Sequence, residues 1–170
     1  LSRVYSVSGT TITGGSIATI DTAASFTQYN ASIIPMELLS ADRVIALYYS
    51  AASNRMCASV LNLSGTTITV GTKQVNSSFG LGENAGRCAI KNISTNKVAI
   101  IYHASNSSSA TVLVATVSGD IVTWGTSYGS ISTIAIAQSN TAQIGLEKLS
   151  TNDKFIVFYA TAATNITTLF

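Results

Sequence analysis

The chain repeats itself every 54–57 residues, and this period limits its possible folds more than any other feature. Ser-Gly recurs at Ser8-Gly9, Ser64-Gly65 and Ser118-Gly119, and the first two open the same Gly-Thr-Thr-Ile-Thr run over 9–13 and 65–69. A second phrase, Leu39-Ser40, Ile93-Ser94 and Leu149-Ser150, keeps the same beat. A third is a basic residue, four mostly apolar residues and a tyrosine, over 43–48, 97–102 and 154–159. Three phrases in one order at one period mark units that cannot bury a hydrophobic face alone and must stack on copies of themselves.

Each unit reads as four short strands. In the central unit they span 88–93, 98–102, 111–117 and 121–126, rich in β-branched residues and separated by Ser, Asn, Gly and Asp. The second strand of each unit is apolar at successive positions: Val44-Ile45-Ala46-Leu47, Val98-Ala99-Ile100-Ile101 and Phe155-Ile156-Val157-Phe158. Unbroken runs of this kind suit strands covered on both faces. No stretch has a helical period, and Pro35 is the only proline. The expected class is all-β: four-stranded antiparallel blades of about 54 residues in a β-propeller, with about three blades present. A β-solenoid has much shorter rungs. The unit boundaries fall at 1–29 (a partial blade of outer strands), 30–83, 84–139 and 140–170 (a partial blade of inner strands).

The runs 7–13 and 63–72 resemble repeats in β-propeller proteins of bacteriophages and bacteria, where such an outer hairpin precedes an inner strand and an aliphatic strand. The resemblance covers almost the whole chain and implies a blade of a tail-fibre or surface-appendage protein. The third unit departs from it, with Gly119-Asp120-Ile121-Val122-Thr123-Trp124 replacing the Thr-Thr-Ile-Thr run. That segment also looks like a shortened "Asp box" of sialidase-type propellers, a structural turn in that family. Asp120 is expected to cap the turn and Trp124 to pack in the blade.

Composition narrows the classes further. Charged residues make up 9% of the chain and hydrophobic ones 46%, which argues against disorder. No apolar window approaches the length of a membrane-spanning helix. The nine basic residues are scattered singly and offer no stripe for a phosphate backbone, so no nucleic-acid partner and no membrane insertion are expected. A surface of hydroxyls and amides suits a virion or extracellular, cell-surface location. The chain opens on Leu1 without a signal-peptide pattern, as a piece of something longer would.

The catalytic inventory is thin. His103 is the one histidine, and no Gly-x-Ser-x-Gly, His-Glu-x-x-His or Cys-x-x-Cys motif occurs, so no enzyme, cofactor or metal is expected. Cys57 and Cys88 read as free thiols, with Cys88 a buried hydrophobe where Ile34 and Ile144 stand in the other units. Glu37, Lys91 and Glu147 share one position in their units and read as alternating charge along an inner channel, or less readily as the carboxylate pair of a glycosidase. Asn30, Asn84 and Asn140 each precede an innermost strand after a long linker, and with Tyr29 and Glu83 they are the candidate ligand-binding residues of one loop face. The expected role is a non-enzymatic structural or receptor-recognition module; a carbohydrate-binding lectin of oligomerised partial propellers is the alternative. Expected partners are other copies of the chain or flanking blades, and a cell-surface glycan or receptor.

Half-unit ends leave the second strands of the last unit without a full neighbour. Even so, Leu47, Ile101 and Phe158 are expected to be equivalent and buried. Residues 1–3 and 168–170 are expected to compete for nearly the same place.

Overall fold

In the computed structural model, the described residues are 1–22, 35–53, 55–77, 88–103, 110–131, 144–150, 154–161 and 165–169. They form fourteen strands in four antiparallel sheets, with no helix among them and no sheet closed on itself. The first sheet is the hairpin β1 (Ser2–Ser8) and β2 (Thr11–Ala18). The second runs β3 (Met36–Ser40), β4 (Arg43–Ser50), β5 (Arg55–Ser64) and β6 (Thr67–Val70), with β7 (Gln74–Val75) also on β5. The third runs β8 (Cys88–Ser94), β9 (Lys97–His103), β10 (Ala110–Ser118) and β11 (Ile121–Ile131). The fourth contains β12 (Ile144–Lys148), β13 (Phe155–Thr161) and β14 (Asn165–Leu169).

The Ser-Gly phrase makes the outer hairpins. Gly9, Gly65 and Gly119 have φ of 58°, 58° and 56°, at the first position of two-residue turns joining Ser8 to Thr11, Ser64 to Thr67 and Ser118 to Ile121. Turns that match strand twist need a positive φ there, which glycine adopts without a Cβ clash.

The sheets stack in chain order. One core lies between the second and third sheets, with Ile45, Leu47, Tyr49 and Val60 facing Val98, Ile100, Leu113 and Val122. A second lies between the third and fourth, where Ala99, Ile101 and Val112 meet Leu146 and Val157. Strand β9 therefore sends alternate side chains into two cores, which explains why its sequence is apolar at successive positions.

The last sheet corrects one expectation. Leu47 and Ile101 are 1% and 0% exposed, but Phe158 is 40% exposed. Phe158 projects from the face of β13 opposite Val157, and among the described residues no further sheet covers that face. Register still matches across units: Tyr102 pairs with Cys88, and Tyr159 with Ile144. Cys88 is only half-buried by surface, yet it packs against the first core. Ile34 lies outside the described residues, as do the side chains of His103, Ile144 and Tyr159.

Candidate functional site along the inner strands

The first strands of the second, third and fourth sheets, β3, β8 and β12, lie side by side. Their shared repeat position brings Glu37, Lys91 and Glu147 into one ladder. Lys91 Nζ is 3.1 Å from Glu147 Oε1 and 3.9 Å from Glu37 Oε1. The backbone N–H of Asn92 donates to Glu37 Oε1 at 3.1 Å, and its side-chain amide donates to the Leu38 carbonyl at 3.1 Å. The Glu147 hydrogen bond, with Glu37 nearby, pushes the Lys91 ammonium above its ordinary pKa. The two carboxylates thus flank the Lys91 ammonium.

The outer hairpins make a second set of inter-sheet contacts. The Gly119–Asp120 turn of the third sheet sits on the second: Arg43 donates to the Gly119 carbonyl, and Asn62 Nδ2 donates to Asp120 Oδ1 at 2.8 Å. A Cβ on Gly71 would come within 2.8 Å of Asp120 Cβ. Asp120 thus holds a neighbouring sheet rather than capping its own turn. The turn of the second sheet meets the first in the same manner, since a Cβ on Gly15 would overlap the carbonyl of Thr66. Gly15, Gly71 and Gly125 each lie six residues past a turn glycine; the first two meet the turn of the next sheet, while at Gly125 a Cβ would overlap the Val114 carbonyl of its own sheet. Trp124 packs against the core between the second and third sheets, as expected.

A buried polar group occupies the second sheet. Lys73 Nζ is 3.1 Å from Asp21 Oδ2 and donates to Ser50 Oγ at 3.4 Å. Ser53 Oγ lies 3.6 Å from Cys57 Sγ, and the hydroxyls of Tyr48 and Ser59 are 3.0 Å apart. Burial raises the Cys57 thiol and pushes Cys88 and Tyr48 each up to about 12, so these groups stay protonated at neutral pH. Both cysteines are free. Between the first and second sheets lies a cavity of about 370 Å³ walled by Val4, Val44, Leu61 and Ile68, with Arg3 its one charged residue.

These shifts fix a pH dependence. The folded state favours a neutral Cys88 thiol and a neutral Tyr48 phenol, so the unfolded chain loses those protons first as pH rises. Stability therefore falls from the ordinary thiol value of 9.0 toward about 12 for Cys88, and from 10.0 toward about 12 for Tyr48. The Lys91 contribution is complete below 10.5 and is lost above it, which adds to the decline. Denaturant midpoints measured from neutral to strongly alkaline pH should stay level and then drop in this window. A midpoint that rises through it would contradict the buried neutral thiol and phenol.

The candidate binding residues Tyr29, Asn30, Glu83, Asn84 and Asn140 lie outside the described residues. No group of three or more metal-ligating side chains occurs among the described residues. Sequence reasoning missed the docking of turns on Gly15 and Gly71, although both glycines, and Gly125 with them, stand at one offset from a turn glycine. Comparison of the chain with protein-family models, with curated proteins and with solved structures found no match.

Proposed function

We propose that the chain is a non-enzymatic structural module, a segment of a β-propeller in a virion or cell-surface appendage. One observation carries the proposal: the polar side chains of the described sheets bind one repeat to the next. Arg43 and Asn62 hold the Gly119–Asp120 turn, while Glu37, Lys91, Asn92 and Glu147 join three inner strands. Groups used in this way brace a scaffold. Recognition of a receptor or glycan is assigned to the long linkers that carry Tyr29, Asn30, Glu83, Asn84 and Asn140.

Antibody raised against the purified chain tests this reading on fractionated cultures of the source organism. Signal that tracks particles or filaments through a density gradient supports it. Signal confined to the soluble fraction, together with glycan-array binding, would assign a free lectin instead.

A further inference from the structure

We propose that the N-terminal hairpin of a second copy of this chain docks on the outer half of the third sheet, with its Gly9–Thr10 turn in the Gly125 notch. This deepens the propeller-segment reading and rests on it, by naming the partner that covers the open faces.

Three observations carry the proposal. First, two of the three repeat notches are filled by the turn of the following unit: Thr66 lies against Gly15 and Asp120 against Gly71. Gly125 is the third, and among the described residues only the Val114 carbonyl of its own sheet approaches it. Lys97 holds the position in the third unit that Arg43 holds in the second.

Second, the turn that fits the notch is present but uncovered. Ser8–Thr13 has the same sequence as 64–69, the segment whose Thr66 already seats on a notch glycine. Thr10 is exposed, whereas Thr66 and Asp120, at the same place in the two docked turns, are partly buried.

Third, the exposed apolar residues match in place. Tyr5, Val7 and Ile12 are exposed at positions where the third unit has Ala115, Val117 and Val122, which pack onto the preceding sheet. The hairpin therefore carries the side chains of a docked outer hairpin with no sheet beneath them. On the receiving side Ile121 is 57% exposed. Phe158 of the fourth sheet and Met36 and Leu38 of the second are also exposed, on faces that the same docking brings together.

The strand edge has room for the added hairpin. Among the described residues, β14 pairs with 157–161 of β13 and leaves Phe155 and Ile156 unpaired on that edge. Strand β1 of the second copy continues the third-strand position there, with its first three residues turned aside from 167–169. Each copy offers one hairpin and one notch, a head-to-tail contact that closes if the rotation allows. Two copies complete six units, within the roughly four to eight blades of closed propellers. The join places Glu147 beside Glu37 of the second copy, so salt should tighten it by screening like charges.

Sedimentation equilibrium of the full chain tests the proposal. The expected mass is twice 17.6 kDa, and it should persist in Thr10→Asp, because Asp120 already fits a notch at that position. Thr10→Arg and Phe158→Asp should each weaken dimerisation at least tenfold while keeping the parent circular dichroism spectrum. Raising salt should strengthen the parent dimer. A monomeric parent, a dimer indifferent to both disruptive variants, or a dimer weakened by salt would overturn the docking. Those outcomes leave the appendage role to the fractionation test, which reads location and not self-association.

Discussion

Replacing Ile100 with alanine is expected to cost about 2–5 kcal/mol, because it deletes a fully buried side chain and leaves a cavity that the surroundings fill only in part. Ile100 lies in β9 and points into the core between the second and third sheets. Its backbone is held on both sides, opposite Ile90 in β8 and Leu113 in β10, so the strand cannot easily shift to close the gap. The same truncation at Phe158 in the dilute, unassociated chain should cost less than about 1 kcal/mol, since much of that ring is already in water. Urea titrations of both variants measure the contrast. Equal losses would mean that the fourth sheet is covered in the single chain.

The second large effect is expected at Gly15. A methyl group there would run into the Thr66 carbonyl, which is backbone and cannot swing away as a side-chain tip could. Gly15→Ala should therefore lift the β1–β2 hairpin off β6 and cost about 1–3 kcal/mol, the range for overpacking a fitted contact. Hydrogen exchange separates this local effect from global unfolding: amides of β1 and β2 should lose protection while those of β9 keep it. A variant with unchanged protection in the hairpin would show that the notch is not a docking point.

The repeat made most of this fold legible. Strand order, the hairpin turns and the buried second strands follow from Ser-Gly, the basic-to-tyrosine phrase and the unbroken apolar runs. Those signals are local, and each repeat reports them independently. The inner ladder was also readable, because Glu37, Lys91 and Glu147 share one offset. What the sequence hid was the uncovered end. Phe158 has the composition of a buried position because its unit is written like the others, and exposure depends on whether a neighbour is present. Asp120 misled for a related reason: an acid in a tight turn usually caps it, and only stacking reveals Asn62 within reach. The loop residues from Tyr29 to Asn140 rest on offset alone.

Stacking in chain order also bears on how the molecule comes together and comes apart. Where one sheet touches another, the larger contacts join successive sheets, so the energetics approach those of a short one-dimensional array of coupled units. The second and third sheets, each with a neighbour on both faces, are the natural site of nucleation, and growth outward from them adds one interface at a time. Unfolding should run the other way, with the terminal hairpin and the last sheet opening before the centre. A chain of this design would melt from its ends inward, and joining the ends would convert graded fraying into a single cooperative transition.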